Sequence, residues 1–348
     1  MLKVLCVTTS GFFGGADKNY IRFYRLLKDQ DWLNIIFIVG NEYTYKQLKE
    51  EGADVFLLKR YDMNNRFIKL KEYKNRGIEI ESLIELAKPD FLIFGDGVFI
   101  PENLNFKKII YIQSKDGLPI VFLSRIQDNF EYAIVVSQPL YEFAKNFIDE
   151  KKLILIPNWI EDIEQVPKRF EDVKEFKVGW VSRLTKAKGW EDLVEAFKNT
   201  DIKVYFIGTG PDMGRAKIIE KEYKNFAFLG FLHEPKKYLK ENASVYVFPS
   251  KNPGETFGLS LLEAMSVGIP CIAYKTDVTE YVLGADGLFY ETVDELRELV
   301  FRLKEDKDFY NERARYSLER AKMFSKEQAK EKFIKLFKSL EETKEAIQ

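Results

Sequence analysis

Short runs rich in β-branched and aromatic residues alternate along the chain with longer stretches whose apolar residues recur every three to four positions. The first pattern marks buried strands and the second marks amphipathic helices, so the alternation predicts parallel sheets covered by helices. In the first half the runs at Lys3–Thr8, Asn34–Val39, Asp54–Leu58, Asp90–Phe94, Lys108–Ile112, Tyr132–Val136 and Leu153–Ile156 are expected strands. A helix between the first two carries Tyr20, Phe23, Leu26 and Leu27 on one face. A second series comprises Phe176–Val181, Ile202–Ile207, Phe226–Leu229, Ser244–Phe248, Ile269–Ala273 and Leu288–Tyr290. Between the series lies Glu161–Glu175 (EDIEQVPKRFEDVKE), charged, proline-bearing and poor in aliphatics, which is linker composition. The tail from Ser325 reads as a Lys/Glu-rich amphipathic helix.

Length agrees with two domains, since 348 residues is about twice the common domain size of roughly 150. The expectation is an α/β protein of two doubly wound parallel sheets, with ligands at the carboxyl ends of the strands and in a cleft between the domains. Composition narrows the chemistry. With 46% hydrophobic and 31% charged residues the chain is globular. Its 54 Lys+Arg nearly cancel 55 Asp+Glu, so nothing in the balance calls for nucleic acid. The lone histidine, His233, excludes a multi-histidine metal site and leaves almost no room for a Ser-His-Asp hydrolase. Cys6 and Cys271 sit in apolar runs and read as buried thiols of a reducing, cytoplasmic compartment. Eight glutamines in a Lys/Glu-rich chain point toward heat adaptation or codon bias. No signal peptide or spanning segment is expected.

Three clusters carry candidate chemistry. Gly11, Gly14 and Gly15 separate the first strand from the first helix. Such a turn lets backbone N–H groups meet an anion, or simply satisfies a tight connection; its G-x-x-G-G spacing is not the dinucleotide fingerprint. Arg183 and Lys188 follow a strand in VSRLTKAKGW. A guanidinium fork and a flexible ammonium five positions apart suit a diphosphate, against the plainer reading of loop surface charge. Gly208–Pro211 (GTGP) after the next strand favours the diphosphate, because its backbone can approach the same ligand. The third cluster is PGETFGLSLLEAMSVGIP, Pro253–Pro270. Glu263 lies there among Leu261, Leu262, Ala264 and Met265, where an unpaired carboxylate is costly. A helical side chain leans toward the N-terminus, so Glu263 should reach the helix mouth and accept from vicinal hydroxyls. The N–H groups of Thr256, Phe257, Gly258 and Leu259 face that mouth and suit a phosphate or sugar oxygen.

Taken together, the R-x4-K pair, the GTGP turn and the E-x7-E segment with its E-T-F-G-L core resemble glycosyltransferase family 4, the retaining GT-B transferases. GFFGGADK, KPDFLIFG, IPNWIE and the FSKE before the last helix extend the likeness over nearly the whole chain. The resemblance implies a GT-B fold, two Rossmann-like doubly wound domains facing a cleft. The acceptor side would span 1–165, the nucleotide-sugar donor domain 172–324, and a helix over 325–348 would cross back. It implies a UDP- or GDP-linked sugar as substrate, no cofactor, and a glycan, lipid or protein acceptor. On the family pattern Arg183 and Lys188 neutralise the diphosphate, Glu263 binds ribose and Glu255 touches the transferred sugar. Gly14, Gly15, Gly208 and Gly210 would approach the phosphates, Thr256, Phe257, Gly258 and Leu259 would hold oxygens through backbone, and Phe231–His233, with Leu232 at its centre, would meet the base.

Two departures stand out. The family commonly has a histidine near the end of the fifth strand, where this chain has YIQSKDG, leaving Gln113, Ser114, Lys115 or Asp116 as acceptor-side candidates. Trp159 replaces the glycine of the usual I-P-N-G. Asp29-Gln30-Asp31 matches a metal-binding D-x-D but ends a helix rather than a strand, so no metal site is expected. Lys59–Arg76, with seven basic and two acidic residues and interleaved aromatics, reads as a solvated helix face, or as a contact for an anionic membrane or a phosphorylated acceptor. Two other functions share these motifs: a sugar-nucleotide epimerase on the same scaffold, and a catalytically degenerate nucleotide-sugar binder.

Overall fold

The computed structural model describes residues 1–8, 15–58, 79–95, 106–113 and 130–345. Gly14, Ser114, Lys115, Asp116 and the basic stretch Lys59–Arg76 lie outside the described residues. The chain divides into two units, Met1–Asn158 with Ala329–Gln348, and Trp159–Gln328.

The first unit holds a seven-stranded sheet: β1 (Leu2–Thr8), β2 (Leu33–Val39), β3 (Asp54–Leu57), β4 (Phe91–Gly95), β5 (Lys107–Ile112), β6 (Tyr132–Val135) and β7 (Leu153–Leu155). Their order is β3-β2-β1-β4-β5-β6-β7, and every pairing is parallel. Strands buried on both faces need continuous apolar runs, which these supply. The first helix runs Gly15–Leu27, with Asp17 in its first turn and Arg25 in its last, each on the favourable end of the helix dipole. It ends at Leu27, so Asp29–Asp31 lie in the turn that leads into β2. Phe23 on this helix packs edge-on against Phe333 and Phe337 of the C-terminal helix Lys326–Glu345.

In the second unit β8 (Lys177–Val181), β9 (Lys203–Ile207), β10 (Phe226–Gly230), β11 (Val245–Phe248), β12 (Cys271–Tyr274) and β13 (Leu288–Tyr290) form a parallel sheet ordered β10-β9-β8-β11-β12-β13. Its core packs aromatic rings among aliphatic side chains. Phe206 and Phe228 stack at 4.3 Å, with Trp180 and Trp190 edge-on to Phe206, and such pairs add about 0.5–1.5 kcal/mol each beyond their buried area. Glu161–Glu175 contains no strand and no α-helix, only a 3-10 turn at Phe170–Asp172. Trp159 is fully buried, which accounts for a bulky side chain where the family pattern has glycine.

In both sheets the strand order reverses once, between β1 and β4 and between β8 and β11. Connections leaving the carboxyl ends there diverge to opposite faces and leave a crevice where ligands of doubly wound folds bind. Among the described residues no helix is long and apolar enough to cross a membrane.

Both cysteines are buried, and burial pushes both thiols well above their ordinary range. Native protein is therefore expected to resist an aromatic disulfide reagent, with two thiols reacting promptly in denaturant. A fast-reacting thiol in native buffer would contradict this packing.

Candidate active site

The crevice of the second unit assembles from three connections. After β8 comes Ser182–Gly189, bearing Arg183 and Lys188; after β9 comes the GTGP turn; after β11 comes Pro249–Gly258, bearing Glu255. The first two are stitched together by main chain. Ser182 N–H donates to Ile207 O (3.1 Å) and Leu184 N–H to Thr209 O (3.0 Å). Glycine is required at this contact: a Cβ on Gly208 would lie 1.9 Å from Ser182 O, and one on Gly210 2.2 Å from Leu184 O. The two glycines thus earn a structural role in bringing the turn onto the Arg183 connection.

The first and third connections meet through side chains. Lys188 Nζ lies 2.6 Å from Glu255 Oε2, with both side chains about one-fifth exposed. Ser250 Oγ donates to the same carboxylate oxygen at 3.3 Å. Arg183 is exposed and, among the described residues, its guanidinium has no ion-pair partner. The two candidate cations therefore differ, one clasped by a carboxylate and one presented to solvent.

Glu255 is delivered by a turn in which Asn252 accepts Gly254 N–H on its side chain (3.1 Å) and Glu255 N–H on its carbonyl (3.0 Å). The chain then runs through Thr256 and Phe257, both buried, to Gly258. Gly258 has φ +82° and caps the Leu259–Ser266 helix, its carbonyl accepting Leu261 and Leu262 N–H. The Phe257 ring is a core anchor, edge-on to Phe324 at 5.3 Å and to Tyr281 at 6.3 Å, so any ligand role falls to its backbone. Glu263 is 7% exposed within that helix. Tyr246 joins the helix to the sheet, its hydroxyl 3.2 Å from Val181 O and 2.9 Å from Ser260 Oγ. Burial, chiefly, together with the nearby Glu263 charge pushes the Tyr246 phenol far above its ordinary value, so it works as a neutral bridge. Leu232 is half-buried in the loop after β10, between exposed Phe231 and His233, whose rings meet edge-on at 5.1 Å.

In the first unit Gly15 opens the first helix. Gln113 follows β5 directly, and its side-chain oxygen accepts a hydrogen bond from Asn19 Nδ2 at 2.7 Å. The same Asn19 amide donates to Asn158 Oδ1 at 3.0 Å. Asn19 and Asn158 are buried, so both amide protons of Asn19 are committed and Gln113 is held with its oxygen inward. An amide directs hydrogen bonds but does not exchange a proton near neutral pH. Asn19 carries no sequence signal of its own, and Asn158 is visible only as the asparagine of IPNWIE.

Residues 161–322 match the family model described as glycosyl transferases group 1. The chain is 25% identical over 266 residues to the O-antigen biosynthesis glycosyltransferase WclY of Escherichia coli, covering 69% of this chain and 74% of that protein. It is 25% identical over 257 residues to N-acetyl-alpha-D-glucosaminyl L-malate synthase of Bacillus anthracis, covering 70% and 64% respectively. The fold is similar to Anabaena Alr3699/HepE, crystallised with UDP and glucose, at a TM-score of 0.77 and 17% identity over 97% of this chain and 100% of that one. It is also similar to sucrose-phosphate synthase of Thermosynechococcus elongatus, at 0.79 and 15% over 99% and 100%. The second unit thus matches the glycosyl transferases group 1 model over nearly its whole length, and the chain has a GT-B fold similar to that of these glycosyltransferases.

Proposed function

We propose that the protein moves a hexose from a UDP- or GDP-linked donor to a glycan, lipid or protein acceptor, with retention of anomeric configuration and without a bound metal. The observation that carries this reading is the Lys188–Glu255 pair at the reversal of strand order, with Arg183 beside it on the same connection. In this reading Arg183 and Lys188 neutralise the diphosphate as the sugar–phosphate bond breaks, so departure of the leaving group needs no cation from solution. An ammonium has three N–H donors, and Lys188 can therefore keep Glu255 while it donates to a phosphate oxygen. Glu255 faces the transferred sugar, whose ring gains positive character. Glu263 takes the ribose hydroxyls, while Gly208, Gly210, Leu232 and the backbone of Thr256–Leu259 line the remainder of the donor. The departing phosphate oxygen accepts the acceptor's proton on the face it leaves, which gives retention with no protein base. Gly14 and Gly15 close over the phosphate, and Gln113, Ser114, Lys115 and Asp116 serve the acceptor. The enzyme works in the cytoplasm, and Lys59–Arg76 is the stretch that would meet an anionic membrane.

The test is a thermal-shift screen of UDP- and GDP-sugars, followed by hydrolysis and transfer assays with the donor that stabilises most, the product's anomeric configuration being read by NMR. Stabilisation and acceptor-dependent turnover with retention support the reading. Epimerised nucleotide-sugar formed without acceptor would replace it with the epimerase, and binding with no turnover on any acceptor class with the degenerate binder. Turnover should also persist in excess chelator, and Asp29→Ala with Asp31→Ala should leave it near wild type. Loss of activity in chelator, restored by Mg²⁺ or Mn²⁺, would overturn metal independence.

A further inference from the structure

The Pro249–Glu255 connection is fastened to the segment before and into the Trp190–Phe197 helix at more than the Lys188–Glu255 contact. Asp192, in the first turn of that helix, has a side chain only 14% exposed. Its carboxylate accepts from Lys251 Nζ at 3.0 Å (Oδ1), with Nζ 2.8 Å from Oδ2, and from the Tyr290 hydroxyl of β13 at 3.0 Å. The Lys251 ammonium also lies 4.8 Å over the Tyr274 ring, and Lys251 N–H donates to Ala187 O at 3.3 Å. Lys251 is thereby held at both ends, backbone and ammonium, by residues 187–192. Immediately after it the Asn252 turn begins and brings Glu255 back to Lys188. Gly189, at φ +68°, lets this happen, because a Cβ there would sit 1.9 Å from Pro249 O.

The charges are crossed. One segment carries Lys188 and Asp192, four positions apart, and the connection carries Lys251 and Glu255, also four apart. The observed direction sets Asp192 on Lys251 and Lys188 on Glu255. Reversed pairing would set lysine on lysine and carboxylate on carboxylate, so the pattern excludes the wrong arrangement as well as favouring the right one.

We infer that Asp192 is a positioning residue for the sugar-transfer reaction: through Lys251 it fixes the connection that presents Glu255 to Lys188. The inference rests on the reading of Lys188 and Glu255 proposed above. It is tested first without substrate. In protein labelled with 15N-lysine, with the Lys188 ammonium resonance assigned by Lys188→Met, pairing to Glu255 should make that resonance slow to exchange its protons. Asp192→Asn and Lys251→Met should abolish the slow exchange as Glu255→Gln does, whereas Asp192→Glu should retain it. With whichever of UDP-glucose, UDP-galactose or GDP-mannose the wild type hydrolyses, Asp192→Asn should lower kcat by about 5- to 20-fold and leave donor KM within about twofold. In a Glu255→Gln background the same change should alter kcat by less than about twofold, since its effect passes through Glu255. Lys251→Met, at a half-exposed ammonium, supplies the same readouts if Asp192→Asn does not fold. An unaltered Lys188 resonance in these variants, or a fall in thermal stability with kcat unchanged, would overturn the inference. Unchanged turnover in Lys188→Ala and Glu255→Gln would instead overturn the underlying reading, and the resonance still decides the role of Asp192.

Discussion

Replacing Lys188 with alanine should lower donor turnover by about 10²–10³-fold, the scale for losing one preorganised charge contact at a reacting centre. Free UDP or GDP should bind about 10- to 100-fold more weakly, as expected for a lost charge-assisted hydrogen bond. Two effects act together in this variant. The phosphate loses a cation, and Glu255, which Lys188 holds at 2.6 Å, becomes an uncompensated negative charge beside a dianionic ligand. Combining Lys188→Ala with Glu255→Gln separates them, because the double variant keeps the first loss and removes the repulsion. Nucleotide affinity should then recover part of the way while turnover stays low. Steady-state kinetics with titration of the free nucleotide on both variants makes the check. If turnover and affinity in Lys188→Ala both stay within about twofold of wild type, this lysine does not meet the diphosphate.

The strands were legible because buried parallel strands require continuous apolar runs, and each expected run coincides with an observed strand to within one or two residues at its ends. The positions of Arg183, Lys188, Glu255 and Glu263 relative to those strands were legible for the same reason: each follows a recognisable run or lies in an apolar helix. What joins them was not. Lys188 and Glu255 are 67 positions apart, and no local pattern distinguishes an ion pair from two charges on separate loops. Asp192 reads in sequence as an ordinary acid in a helix's first turn, where the dipole favours one whatever else it does. Its tie to Lys251 and Tyr290 depends on how β11 and β13 are placed, which is long-range information. The first helix shows the smaller error of the same kind. Its apolar spacing runs on to Leu27, but the polar residues that follow allow either another turn of helix or a turn into β2, and the structure takes the latter.

The two glutamates of the third cluster should separate cleanly in kinetics, because the proposed reading assigns them different work. Glu263 lies buried in the helix behind Gly258, and in the proposed reading it binds ribose, a part of the donor unchanged by reaction. Glu263→Ala removes binding common to ground and transition states, so it should chiefly raise donor KM and weaken free UDP or GDP. Glu255 lies on the connection ahead of the helix, clasped to Lys188, and in the proposed reading it faces the sugar whose ring becomes positive as its bond to phosphate breaks. Glu255→Ala removes stabilisation that grows along the reaction and should lower kcat by about 10²–10³-fold. The ion pair adds a sharper expectation for binding. Lys188 freed from Glu255 has its whole charge available to phosphate, so free nucleotide should bind Glu255→Ala as tightly as wild type or more tightly. Isothermal titration with UDP and GDP, beside kcat and KM for both variants, decides the matter. Lost nucleotide affinity in Glu255→Ala with a pure kcat defect in Glu263→Ala would exchange the two roles. A pure KM defect in Glu255→Ala would remove that carboxylate from the chemical step and leave it as the clasp of Lys188 alone.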